Sequence, residues 1–328
     1  MQSKRKILLC AGAAALIVLA IVLLPGIFAG NAAEPVSADG SSVVYFTSDI
    51  NSAALINMYT TLKWKPAGAL AVKISTGEPP NSNYLRTELI GDLVKKINGT
   101  FVECNTAGSR GRGETEKHLQ VAKDHGFTAV AKVDIQDANG SYTLPVRGGK
   151  HLRENYVGAS FPEYGSYLIL SHFKGHQMAG FGGAIKNVSI GMASGEGKAW
   201  IHSGGKSKTS PWGGEQNAFL ESMAEACKSV FDRLDNGKRM AYVNVMNRLS
   251  VDCDCNGNPA EPDMHDIGIL ASLDPVALDQ ACIDLVYAAK DGQSVIQRIE
   301  SRNGLLTLAH AEKIGLGSRK YTLVNIKN

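Results

Sequence analysis

Beyond residue 42 the apolar positions change their period every few residues. Residues 43–47, 69–74 and 101–104 are short runs rich in β-branched and aromatic side chains, the composition of strands. Residues 53–62 and 84–97 lie between them and carry apolar residues at helical spacing. Leu85, Leu89, Leu93 and Ile97 recur every fourth position and predict one buried stripe. Further on, residues 167–170 read as a buried strand and residues 218–234 as a helix, followed by strands at 240–246 and 267–271. Asp274 followed by Pro275 is a helix start, with a capping carboxylate and then a residue that needs no amide partner. Strands alternating with helices predict an α/β fold: a mainly parallel mixed sheet flanked by helices. Asp274, Asp279 and Asp284 are five residues apart, so successive side chains point about 140° away from one another and form no carboxylate cluster.

The N-terminus breaks this pattern. Lys4, Arg5 and Lys6 precede 23 uncharged residues, 7–29, and the first acid is Glu34. The segment 1–33 is expected to be a signal peptide or a hydrophobic signal-anchor helix, with residues 41–328 as the α/β domain. The basic residues stay inside, so the domain is expected to be extracytoplasmic, secreted or anchored to the membrane through this segment. The stretch is long enough to favour an uncleaved anchor, and Pro25 with the small residues near Ala32 leaves cleavage open. The segment holds three of the 34 Lys and Arg residues and none of the 31 acids, so the remainder is formally neutral. The basic balance therefore belongs to the targeting segment, and no nucleic-acid partner is expected. The Gly/Ser/Lys-rich residues 203–214 read as a mobile loop or a boundary between two subdomains.

The candidate chemistry follows the 167–170 strand. His172, Lys174, His176, Gly180, Gly182, Gly183 and Lys186 fall within 15 residues, and His202 follows. Glycines let the backbone approach a ligand and expose N–H groups to an anion. The competing reading is a tight glycine turn with hydrogen-bonded histidines. A second cluster, the acidic loop 251–257 with Asp252, Cys253, Asp254 and Cys255, together with Asp263, His265 and Asp266, offers metal ligands, although one residue between the cysteines is not the usual zinc spacing. Its competing reading is a solvated turn with oxidised thiols. Cys104, Cys227 and Cys282 complete an odd set, which in an exported protein flags a free thiol or a metal ligand, with structural burial the competing reading for Cys227 and Cys282. Glu78, Asn83 and Arg86 follow a strand end, where a carboxylate and a guanidinium can orient an anion. No Gly-x-Ser-x-Gly elbow or phosphate-binding glycine loop is present.

The stretches SHFKGHQMAGFGGAIKNVSIGMASGEGK, VKISTGEPPNSNYLRTELI, VDCDC and DIGILASLDPVALDQACIDLV resemble the DUF362 family, a domain of unknown function. Many of its members carry a ferredoxin-like cysteine run; none exists here, so a 4Fe-4S cluster of that type is not expected. More weakly, His176, Lys186 and His202 resemble the spacing in the lactate racemase family, whose cofactor is a nickel-pincer nucleotide. That resemblance implies Lys186 as tether, His202 as metal ligand and His176 as proton-transfer base, with Asn83 and Arg86 beside the cofactor. It also sets Thr106–Arg110 against a turn whose histidine is replaced here by Ser109. The function expected is binding of a metal or metal-containing cofactor, with oxidoreductase or isomerase chemistry on a small organic acid. The alternative is a membrane-anchored protein that binds a metal or an anion without turning it over.

Overall fold

The computed structural model describes residues 40–107 and 111–327. Its elements run β1 (Ser42–Thr47), α1 (Ser52–Thr61), β2 (Leu70–Lys73), α2 (Thr87–Lys96), β3 (Thr100–Glu103), α3 (Thr115–Asp124), β4 (Val133–Ile135), β5 (Ser141–Pro145) and β6 (Glu154–Gly158). They continue β7 (Ser166–His172), β8 (Lys174–His176), β9 (Gly180–Gly182), α4 (Ala184–Met192), α5 (Gly195–His202), α6 (Gln216–Arg233), β10 (Met240–Met246), β11 (Gly268–Ser272), α7 (Pro275–Ala288), α8 (Gln293–Ser301), α9 (Leu306–Lys313) and β12 (Tyr321–Asn325).

Eight of these strands form one sheet in the order β12-β1-β11-β10-β7-β2-β3-β4. The β1–β11 and β10–β11 pairs are antiparallel and the other pairs parallel, so β11 alone runs against its neighbours. This is the mainly parallel mixed sheet the pattern predicts. From β2 the chain moves outward to β3 and β4, then returns to place β7 on the other side of β2 and β10 beyond it. The switch point therefore lies between β2 and β7, where the carboxyl ends of parallel strands leave a crevice.

The central strand explains why both faces are covered. All seven residues of β7 are buried. Tyr167 and Ile169 pack into one apolar cluster with α4, α6 and α7, while Leu168 and Leu170 pack into another with α1 and α2. Each buried Leu or Ile of this kind contributes about 1.5–3 kcal/mol. The α2 stripe is displaced from the expected one. Its buried residues are Ile90, Gly91, Leu93 and Val94, with Leu85 buried ahead of the helix and Leu89 and Ile97 only partly covered. A strict four-residue repeat drifts about 40° per step around a helix, so it cannot hold one face for three turns.

Asp274 caps α7 through the Val276 and Ala277 amides, with Pro275 in the first turn. The three aspartates diverge as their spacing requires: Asp279 reaches α4, and Asp284 bonds Gln280 and Tyr321. Residues 203–214 join α5 to α6, and the described residues group as one compact unit. The apolar segment 7–29 lies outside the described residues. Among the described residues no helix is long and apolar enough to cross a membrane.

Candidate functional site

The ends of β2, β3 and β7 each place a polar side chain at the switch point: Lys73, Glu103 and His172. Burial of charges here is tolerated because each is paired. Lys73 Nζ lies 3.3 Å from Glu103, and Arg112 reaches Glu103 and Glu78 at 3.1 Å each. Burial by itself would raise the Glu103 carboxyl; Lys73, His118 and Arg112 outweigh it and hold the group well below the ordinary carboxylate range. Asn187 on α4 ties the strand ends together, its amide donating to the carbonyls of Lys73 and Leu170 and to Ser171 Oγ.

A second pairing builds the opposite wall. His172 Nδ1 and Lys174 Nζ both donate to Asp254, at 3.0 and 2.5 Å, and His172 Nε2 donates to the Asn247 carbonyl at 2.6 Å. Both nitrogens of His172 face acceptors, so the ring is a fixed donor with no lone pair to offer. Burial raises Asp254, but the charges of His172 and Lys174 prevail and hold it below its ordinary value.

These walls border a half-open cavity with two adjoining chambers, an inner one of about 110 Å³ among the strand ends and an outer one of about 410 Å³. The two share Thr106, Lys186, Ile190, Lys198, Cys253 and Cys255. Trp212, in the expected mobile loop, is 73% exposed and lines the outer chamber. Five basic side chains (Lys73, Arg112, Lys174, Lys186, Lys198) face three carboxylates (Glu78, Glu103, Asp254), leaving the cavity cationic. Lys198 donates to the Ala193 carbonyl. Lys186 alone among the five makes no hydrogen bond or ion pair with the described residues. Burial, with Lys174 and Lys73 nearby, lowers its amine to about 7, so near neutral pH much of it is uncharged and able to take up a proton.

The two expected histidines have opposite tautomers. His176 Nδ1 accepts the Met178 and Ala179 amides at 3.1 and 2.9 Å, so the ring's proton sits on Nε2, which faces Cys255 Sγ at 3.7 Å. Burial and the charge of Lys186 keep its pKa well below the ordinary imidazole value. His176 is thus a donor, and the expectation of a base is corrected by its hydrogen bonds. His202 does the reverse. Its Nδ1 donates to the Lys198 carbonyl at 2.7 Å, the ring stacks on Phe219, and Nε2 keeps its lone pair. Burial lowers it to about 4.

Cys253 and Cys255 take the oxidised form, one of the two readings the sequence leaves open. His176 Nε2 and the sulfurs of Cys253 and Cys255 lie within 4.8 Å of one another, whereas His202 is not part of that group. In this state the sulfurs are bonded to each other and the imidazole presents N–H, so the group could hold a metal only after reduction of the sulfurs and a change of tautomer. Cys104, Cys227 and Cys282 are free and buried, and burial raises each thiol, Cys104 to about 12.

Two further expectations change. The glycines do not offer the N-terminus of α4 to an anion, because Asp279 already accepts the Ala184 and Ile185 amides at 2.7 and 3.0 Å. Gly183 exists for that contact: a Cβ there would lie 2.3 Å from Asp279 Oδ1. Gly183→Ala is therefore expected to cost about 2–4 kcal/mol in urea unfolding, by leaving buried amides unpaired. Gly180 sits against Ile299 and Gly304, whereas Gly182 and Gly183 border the cavity, a Cβ on Gly182 falling 3.3 Å from the Lys186 stem. Asn83 and Arg86 are not brought to this cavity. Arg86 bonds Tyr84 and Ser82 and lines a separate groove with Arg248, while Glu78 pairs with Arg112. Ser109 and Arg110 lie outside the described residues.

Lys73, Glu103, Arg112 and Lys198 were not singled out from the sequence, and Asp254 was seen only as part of an acidic loop with metal ligands. The available signal was a charged residue closing an apolar strand, as Lys73 and Glu103 do.

The arrangement defines a doubly wound α/β protein with a cation-lined cavity at its switch point. The chain belongs to the DUF362 family, described as a domain of unknown function, whose model matches residues 70–284. No curated protein matches the sequence. Among solved structures the chain is similar to the lactate racemase apoprotein from Thermoanaerobacterium thermosaccharolyticum, at 12% identity and a TM-score of 0.43, covering 75% of this chain and 57% of that one. It is also similar to a structural-genomics protein from Thermotoga maritima, at 12% identity and a TM-score of 0.42, covering 73% and 58%. The chain thus spans less than two thirds of either structure.

Proposed function

We propose that this protein is an enzyme that moves a proton on a small organic acid, with the acid's anionic group in the inner chamber and Lys186 as the acid–base group. One observation carries this reading: Lys186 is the unpartnered cation in a cavity where every other cation is held. An inner volume of about 110 Å³ suits a carboxylate or phosphate displacing a few waters of ~30 Å³ each. The outer chamber takes the rest of the molecule beside His202, whose free lone pair serves as a second proton acceptor. With residues 1–33 as signal or anchor, the reaction runs outside the cytoplasm.

A metal-containing cofactor is a second reading, favoured by His202. An imidazole that donates Nδ1–H to a carbonyl and leaves Nε2 free has the form of a metal ligand. Lys186, free beside it, fits the tether. A metal bound there would supply an electrophile for the substrate's oxygen.

Calorimetric titration with lactate, pyruvate and phosphate, followed by NMR of deuterium uptake into the bound acid from heavy water, tests the first reading. Binding with exchange supports it. Lys186→Met is expected to abolish exchange and to weaken binding about tenfold or more, the worth of one charge-assisted hydrogen bond. Binding without exchange would replace the enzyme with a capture protein, and absence of both would overturn the reading.

A further inference from the structure

We propose that Cys253 and Cys255 are a redox-active pair that exchanges with a dithiol, Cys255 being the sulfur attacked and His176 the group that donates to it. The inference rests on the sulfur geometry alone and stands whether or not an acid binds near Lys186. The two cysteines are bonded across one intervening residue, and access to them is unequal: Cys253 is 6% exposed and Cys255 is open. An incoming thiolate therefore meets Cys255 first. Each sulfur faces a donor that stabilises it as a leaving thiolate: Cys253 Sγ accepts the Cys255 amide at 3.3 Å, and Cys255 Sγ faces the His176 N–H at 3.7 Å. Both also border the cationic cavity. Asp254 between them is pinned from three sides, by His172, by Lys174 and by the Glu78 amide on its carbonyl at 2.7 Å. The loop is therefore held when the sulfur–sulfur bond opens, and the pair can close again.

In the reaction, one thiolate of the dithiol attacks Cys255 Sγ, the bond between the cysteines breaks, and its electron pair leaves on Cys253. The second thiolate then attacks the first sulfur of its own molecule. The mixed bond breaks and Cys255 leaves as thiolate beneath His176 Nε2–H. Two electrons pass from the dithiol, which becomes a disulfide, to the pair, and the two protons the dithiol sheds end on Cys253 and Cys255.

The full-length oxidised protein, incubated with dihydrolipoamide and quenched with N-ethylmaleimide, is expected to gain two labels, on Cys253 and Cys255. With oxidised glutathione as probe, Cys253→Ser should trap a mixed disulfide on Cys255 about tenfold faster than Cys255→Ser traps one on Cys253, following exposure and thiolate stabilisation. His176→Phe should slow reduction about tenfold, the worth of a hydrogen bond to a charged sulfur. Should that variant fail to fold, the two trapping variants decide alone. A pair that stays bonded in excess dihydrolipoamide, equal trapping at both positions, or one zinc held per reduced chain would each overturn the proposal.

Discussion

Replacing Glu103 with glutamine is expected to destabilise the protein by about 3–5 kcal/mol, the range for breaking a buried ion pair from one side. The carboxylate receives Lys73, Arg112 and both the amide and hydroxyl of Thr76, with His118 at 3.6 Å, so its loss strands Lys73 and leaves Arg112 with Glu78 alone. Its pKa is depressed when folded. The stability it contributes is therefore present above the unfolded value of 4.5 and fades as pH falls through the folded value. Urea unfolding near pH 7 should show the full difference between the two proteins, and unfolding in strong acid should show a smaller one. Adding Lys73→Met to the variant should recover part of the loss, because one stranded charge is removed with it. Equal stability of wild type and Glu103→Gln near pH 7 would contradict the paired arrangement.

Lys186→Met is expected to act in the other direction. The amine falls from 10.5 to about 7 on folding, so between these values the unfolded chain holds a proton that the folded protein does not. Stability of the wild type should therefore rise with pH across this window, and below it the folded state carries the whole cost of an unpaired ammonium. The gap corresponds to at most ~5 kcal/mol, and solvent reaching the partly exposed side chain reduces this to roughly 1–3 kcal/mol. Methionine keeps the length and removes the charge. The variant should be more stable than wild type by that amount at about pH 6, and the difference should vanish at high pH. A protein that gains stability and loses ligand binding through one substitution has an amine kept for function rather than for the fold.

How far the site was legible depended on the length scale of each interaction. His176, Lys186 and His202 were visible because they crowd a glycine-rich segment after a strand, and the fold does bring all three to one cavity. Their roles were not visible. The tautomer of His176 is set by the Met178 and Ala179 amides, and that of His202 by the Lys198 carbonyl, through a backbone geometry that residue types alone do not specify. Asn83 and Arg86 were misplaced for a related reason: a strand end has two sides, and Arg86 turned to the side of Tyr84 and Arg248. Arg112 escaped notice because its partners, Glu78 and Glu103, lie 34 and 9 residues away.

The sequence by itself determined the alternation of strand and helix, the sheet's mainly parallel character, the Asp274 cap and the divergence of the three aspartates. These follow from periodicity and from bonds a few residues long, which local physics decides. Only the tertiary structure decided which charges meet, which of five cavity cations stays unpaired, and that Cys255 faces an imidazole N–H rather than a lone pair. Those depend on strands from distant parts of the chain ending side by side, where a shift of a few ångströms turns a buried charge from paired to free.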